Sequence, residues 1–489
     1  MAADMVFRNA TVIDGSGGAR LAADVAVTDG RVSAVGEAPL ATREIDASGL
    51  ILSPGFVDTH SHDDAAFIRY PGMEFKLAQG VTSEISGNCG FSAAPHDPGQ
   101  PPRPDDIAGR SADWRTLSEY FAACMKRRPA INNAMLIGHN KLRYMASGME
   151  KRAATADEIA RMRGWLGQAM EEGAVGFSTG LIYEPGRYSD TGEVVALANE
   201  AGRAGGLYAT HMRNEGERLL EAVDEAIHIA RESGSKLHIS HHKSAGKKNW
   251  GGVRASLAKV DAANASGMDI TLDVYPYTAG SGPMNQYVNL DHIDVEWAKH
   301  VLIATCPDFR EFEGMTIPEI ASRCEWEIEE AVRQVITGPR GKETICIHFI
   351  IDEADIETNL RHPRMMIGSD GIPELNGQPH PRLFGTMPRV LGHYVRERGV
   401  LSLEEAVRRM TSMACERFGL AGRGLVKEGY RADLVLFDEQ TIIDRATYKE
   451  PKQEPAGIRM VVVNGEVAME DGRHTGAGAG RMLRYGKDD

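Results

Sequence analysis

Residues 54–64 read PGFVDTHSHDD, and residues 58–64 crowd two histidines and three aspartates onto the end of an apolar run. His60 and His62 stand at i and i+2, which on a strand turns both side chains to one face. Two imidazoles aimed at one point suit a divalent metal, zinc above all. An HxH pair alone is ambiguous, because a histidine at a strand end is more often simply hydrogen-bonded. The same pattern recurs further along the chain. Cys89 lies between glycines in GNCG, His211 in ATHM, His241 and His242 in SHHK, and Asp370 in GSDG, each closing a short apolar run. Each has an ordinary reading by itself: an inert buried thiol, a structural histidine, an aspartate in a turn. Their repetition at one kind of place asks for a common cause, and a metal centre supplies one.

The elements that would carry these groups alternate. Apolar runs at 55–62, 80–87, 133–139, 174–180, 207–212, 236–242, 269–277 and 365–371 are separated by stretches of helical period such as DEIARMRGWLGQAMEEG and RLLEAVDEAIHIARESG, the second closing on glycine. Eight strand–helix alternations predict an α/β fold, a TIM-like (β/α)8 barrel, whose C-terminal strand ends line the active-site mouth. The gap between the seventh and eighth runs is too long for a loop and holds helical pattern (IPEIASRCEWEIEEAVRQVI), so 283–350 is read as an insertion. The two chain ends differ from this middle. MVFRNATVID, ADVAVTDGRVSAVG, ADLVLFD and GIRMVVVNGEVAMEDGR are strand-like and punctuated by turn residues. They predict a small β-sandwich domain built from 1–54 and 421–489, around a barrel spanning 55–420.

Composition narrows the function. With 489 residues, 42% hydrophobic and 25% charged, the chain can bury a large core. A formal charge of −14 argues against nucleic acid and against an anionic membrane surface, but not against a small anionic substrate. The six cysteines have no paired spacing, which fits reduced thiols and a cytoplasmic location. No basic-then-apolar leader and no membrane-length apolar run is read. The oligomeric state stays open.

PGFVDTHSHDD, GNCG, ATHMR, SHHK and GSDG together resemble the amidohydrolase superfamily, and more narrowly the N-acyl-D-amino acid deacylases (D-aminoacylases). GFSTGLIYEPG, NWGGVRASL, LDVYPY and PHPRLFGTMPRVLG add to the likeness, which covers nearly the whole chain. The resemblance implies zinc, with Cys89, His211 and His241 as a tight site. His60, His62 and Asp370 would form a second, weaker site bridged by Cys89. Many superfamily relatives bridge their metals with a strand-four lysine; the stretch EEGAVGFSTGLIYEPG has none, and Cys89 stands in for it. A thiolate suits zinc. His242 is then a bystander, facing away from its neighbour, and His238 is core.

The chemistry implied is hydrolysis of the amide of an N-acyl-D-amino acid. A divalent metal acidifies water and polarises the carbonyl; Asp370 would take the water's proton and return it to the departing amine. Tyr183, Lys243, Tyr275 and Arg382 would hold the substrate carboxylate, with Tyr277 a competitor for Tyr275 and His139 structural. No lysine or arginine follows Tyr277 for over twenty residues, and Met284 and Tyr287 fall there. Neutral, rather large side chains such as methionine, leucine or phenylalanine are therefore expected. Two other amide hydrolases compete with this reading: a cyclic-amide hydrolase of the hydantoinase or dihydroorotase type, and a dipeptidase for D-residues. A barrel scaffold without catalysis is a third alternative.

Overall fold

The computed structural model describes residues 2–97 and 114–487. Eight parallel strands follow one another around a barrel: β1 (Phe56–Asp58), β2 (Val81–Ser86), β3 (Asn132–Gly138), β4 (Gly176–Gly180), β5 (Leu207–His211), β6 (Lys236–Ile239), β7 (Ile270–Val274) and β8 (Met365–Ile367). Each lies inside one of the eight apolar runs, except that β3 starts one residue earlier, at Asn132. Each is buried on both faces except at Lys236, as parallel strands under helices must be.

The barrel closes between β8 and β1. Thr59 N and Oγ1 both donate to Ile367 O, Asp370 N donates to His60 O at 2.7 Å, and His62 N donates to Gly371 O at 3.0 Å. The residues that complete the barrel are therefore those of the HxH and GSDG motifs themselves, with Thr59 and Ile367 beside them.

Helices cover the outside. Ala156–Glu171 starts on a Thr155–Glu158 capping box and buries Met162, Leu166 and Met170. Leu219–Ser233 buries Val223, Ala226, Ile227 and Ala230 and ends at Gly234, whose φ of 68° is the left-handed turn that stops a helix. No helix among the described residues is long and apolar enough to cross a membrane.

The chain ends meet in one nine-stranded sheet. Strands Leu434–Phe437 and Ile51–Pro54 pair antiparallel and join the N-terminal strands to Ile458–Val463 and Glu466–Glu470. Tight hairpins at Asp29–Gly30 and Asn464–Gly465 have positive φ at both residues. The strand Arg31–Gly36 returns against Tyr430 and Arg431, folding the sheet over a shared apolar interior of Phe7, Val27, Leu434 and Met460.

Between β7 and β8 the helical pattern yields helices Ile317–Cys324 and Ile328–Thr337. They pack on an antiparallel sheet of Gly280–Pro283, Ile345–His348 and Val301–Thr305, with its own core around Ile303, Phe312, Val332 and Cys346. This small unit forms one wall of the barrel mouth.

Candidate metal centre

Cys89 Sγ lies 3.3 Å from His60 Nε2 and 3.3 Å from His241 Nε2. Asp370 Oδ1 stands 3.5 Å from His60 Nε2 and 3.1 Å from His62 Nε2. His60, Cys89, His241 and Asp370 thus offer one ligand atom each, all within 4.8 Å of one another; His211, Glu215 and His241 form a second such group. Zinc holds sulfur at about 2.3 Å and nitrogen at about 2.0–2.1 Å, so tetrahedral neighbours stand about 3.6 Å apart. The observed spacing fits an ion between them. Both ring nitrogens of His211 and Nδ1 of His62 are buried without a hydrogen bond among the described residues. Buried polar atoms left so are costly unless something satisfies them.

The positions are reached by unusual backbone. Strand alternation does not place them, because β1 ends at Asp58, β6 at Ile239 and β8 at Ile367. Cys89, His241 and Asp370 instead have φ of 54°, 35° and 52°, a left-handed conformation that non-glycine residues avoid and that gathers at functional sites. Cys89 sits between Gly87 and Gly90, both at positive φ; a Cβ on Gly87 would stand 2.0 Å from Leu136 O. Gly180, the last residue of β4, would collide with Cys89 O at 2.1 Å if it carried a Cβ. The bare end of β4 thus leaves room for the cysteine loop.

The electrostatics favour a cation. Burial opposes ionisation of the Cys89 thiol, yet the His60 and His241 rings hold its pKa well below the ordinary thiol range. Burial likewise opposes the Asp370 carboxylate, and Arg382, His60 and His241 hold it well below the usual range. Despite burial, Asp273, Cys89 and Asp370 push His60 well up, and Asp370 and Cys89 push His62 to about 9. An environment that pulls protons onto buried imidazoles is one that attracts positive charge.

A further layer, not singled out in the sequence, holds these groups in place. Asp273 Oδ2 contacts His60 Nδ1 at 3.2 Å and His238 Nε2 at 2.8 Å, while Oδ1 accepts from His241 N at 2.8 Å. Fixing the far nitrogen of a ligand ring sets its tautomer and direction. Lys76 Nζ, fully buried, bonds Asp58 at 2.5 Å and Ser369 Oγ at 3.2 Å and pairs with Asp63 at 2.8 Å. It ties the two segments that carry His60, His62 and Asp370. Asp273 did leave a signal: of the two carboxylates in DITLDV it is the one enclosed by apolar residues, and such a group must have a buried partner. His242 turns away to Asn359 and Ser256, and His139 pairs with Glu193.

A cavity of about 440 Å³ opens beside this cluster, and Tyr183, His211, His241, Lys243, Tyr275 and Asp370 are on its wall. Of the residues expected to hold a carboxylate, Tyr183, Lys243 and Tyr275 face it. Arg382 does not: its guanidinium is buried behind, with Nη1 2.9 Å from Asp370 Oδ2, Nη2 donating to Ser281 O and its plane over the Tyr275 ring. Tyr277 points elsewhere, to Asp444. Lys243 is not idle. Its Nζ stands 2.6 Å from Glu215 Oε1 and 2.8 Å from His241 Nδ1. Glu215, four residues after His211, also lies 2.9 Å from His241 Nδ1; its place in a polar loop gave no periodicity to find it by. Burial opposes its charge, but Lys243, His211 and His241 hold its pKa well below the usual range.

Comparison with known proteins agrees with the geometry. The profile of the Amidohydrolase family matches residues 43–324 and 329–469. A D-aminoacylase of Alcaligenes xylosoxydans xylosoxydans is 40% identical over 98% of this chain and 97% of its own. An N-acyl-D-glutamate deacylase of the same organism is 41% identical over 94% and 93%. The crystal structure of N-acyl-D-glutamate deacylase from Bordetella bronchiseptica, complexed with zinc and a phosphonate mimic of the tetrahedral intermediate, superposes with a TM-score of 0.93 at 38% identity, covering 99% of this chain and 100% of that one. With a thiolate, imidazoles and a carboxylate converging at the C-terminal mouth of a closed (β/α)8 barrel, the chain belongs to the amidohydrolase family, in its D-aminoacylase branch.

Proposed function

We propose that the protein is a zinc-dependent deacylase that cleaves the amide of N-acyl-D-amino acids with neutral side chains, releasing a carboxylate and a free D-amino acid. The convergence of Cys89, His60, His241 and Asp370 within 4.8 Å carries the reading. Cys89, His211 and His241 would hold the tighter ion, and His60, His62 and Asp370 a weaker second one. Zinc, when bound, supplies Lewis-acid polarisation of the carbonyl and acidifies water toward a pKa of ~7.

The chain's own groups do the rest. The Asp370 carboxylate, kept ionised by Arg382 at 2.9 Å, takes the water's proton and delivers it to the departing nitrogen, which leaves poorly unless protonated. No serine or cysteine nucleophile is required, and Cys89 acts as a ligand. Tyr183, Lys243 and Tyr275, on one wall of the cavity, receive the substrate carboxylate. Arg382, buried behind the wall, acts through Asp370 and Tyr275.

The side-chain preference follows from charge. Lys243 is the one lysine or arginine on the described cavity wall, and the α-carboxylate is assigned to it. His348 is also on that wall, but burial, with Lys243 and Arg382 nearby, pushes its pKa down to about 3, so it is neutral at pH 7. Tyr287, Trp297, Ile182 and Ile350 complete an aromatic and aliphatic surface. A second carboxylate would find no free cation there. Relatives named for glutamate and those that are not share almost the same identity with this chain, so the wall decides.

A panel of N-acetyl-D- and N-acetyl-L-amino acids tests the reading, run before and after a chelator and again with zinc restored. Hydantoin and dihydrouracil are included to separate cyclic amides. Turnover of D-substrates alone, lost with the metal and regained with zinc, is expected. Hydrolysis of cyclic amides in preference to acyl-D-residues would overturn it.

A further inference from the structure

A scissile amide has two sides, and the large cavity accounts for one. If the protein is a deacylase as proposed above, the amino-acid half lies in the 440 Å³ cavity, where Lys243 and Tyr275 stand. The acyl half needs a separate place next to the same carboxylate. A second recess of about 30 Å³ adjoins it, lined by His62 and Asp370 on the metal side, Tyr183 at the boundary with the large cavity, and Phe91, Ile345 and Ile372 on the far side. One water-sized group needs about 10–15 Å³, so this recess admits roughly two.

Its walls are held from three directions. Phe91 packs at 5.4 Å from the Tyr183 ring and 6.5 Å from His62. Ile345 is in the ladder of the insertion sheet, opposite Pro283 and Thr305. Ile372 lies two residues beyond Asp370 and packs with the core around Ile345 and Ile347. Apolar walls fixed by a strand and a barrel closure do not yield readily to extra methylenes.

We propose that this recess is the acyl-binding subsite, and that Phe91, Ile345 and Ile372 restrict the acyl group to formyl, acetyl and propionyl. The two halves of the substrate are then selected independently: the side chain by the large cavity, the acyl group by the small one.

The test crosses two series: N-formyl-, acetyl-, propionyl-, butyryl- and hexanoyl-D-methionine, and N-acetyl derivatives of several neutral D-residues. Each is measured with the wild type, Ile372→Ala and Ile345→Val. From acetyl to butyryl, kcat/KM is expected to fall at least ~10-fold, the scale of methylene discrimination in an apolar pocket. Either variant should narrow that ratio several-fold and leave the side-chain ranking unchanged. Equal turnover of acetyl and hexanoyl substrates by the wild type would overturn the subsite. So would an unchanged butyryl-to-acetyl ratio in both variants, or variants that shift side-chain preference instead. Failure to hydrolyse any N-acyl-D-methionine would overturn the deacylase reading itself, and the subsite with it.

Discussion

Cys89 and His241 are 152 residues apart in the chain, yet Sγ and Nε2 meet at 3.3 Å, each residue in left-handed backbone. Such backbone costs about 1–3 kcal/mol per residue and persists only where its surroundings impose it. Here the imposing contacts are visible: Gly87 and Gly180 let the cysteine loop settle against β3 and β4, and Asp273 holds the His241 amide.

Replacing the thiol tests that relationship. Cys89→Ala should fold and lose zinc affinity by more than the roughly 10–100-fold that removing an outer partner costs, and activity should fall with it. Zinc titration by calorimetry, with circular dichroism as the fold control, measures both. Unchanged zinc affinity would remove Cys89 from the ligand set.

Asp273→Asn tests the layer behind the ligands. The amide keeps the shape but no longer offers a charged acceptor to His60 and His238. Zinc affinity is expected to fall roughly 10–100-fold, less than for Cys89→Ala. An effect on stability alone, with affinity intact, would make Asp273 a purely structural residue.

Lys76 should matter to stability in an asymmetric way. Lys76→Met leaves Asp58 and Asp63 buried without their cation, a change that costs about 3–5 kcal/mol, read from urea unfolding. Glu84, 3.4 Å from Lys76, behaves otherwise. Burial and the neighbouring Asp63 raise its pKa well above the carboxylate range, which disfavours its charged form. Glu84→Gln is expected to change stability far less than Lys76→Met.

On the proposed function, the aromatic wall and the single lysine on it would set the side-chain preference. N-acetyl-D-glutamate is expected to show kcat/KM at least ~10-fold below N-acetyl-D-methionine, because a charge placed against a wall without a free partner loses its hydration. Comparable steady-state values for the two substrates would contradict this.

How far the sequence reached follows from the same residues. The eight barrel strands were legible because each apolar run carries a glycine or an ionisable group at or next to its end, and β1 to β8 fall inside those runs save for Asn132. The turn residues between the terminal strands announced their hairpins, Asn464–Gly465 among them. What alternation could not supply was direction at the mouth. His241 and Lys243 do come together, at 2.8 Å, but through a turn after β6 and not through the pleat of a strand. Arg382 is charged and near Asp370 in sequence, yet it is buried behind that carboxylate, a placement that depends on the helix Arg382–Arg389 packing on the barrel. The three strands of this small sheet, the first of which starts at Gly280 ahead of the expected 283–350, were hidden, since their pairing is long-range and two of them flank the stronger helical pattern of 317–337. Glu215, Lys76 and Asp273 have their roles only through partners distant in the chain, such as Lys243, Ser369 and His60.

The most direct test is anomalous diffraction at the zinc edge from crystals of the zinc-reconstituted protein. The account predicts its strongest peak within bonding distance of Cys89 Sγ and of the His211 and His241 rings. A zinc peak remote from these three side chains, or an uncoordinated Cys89 sulfur in an active crystal, would contradict it.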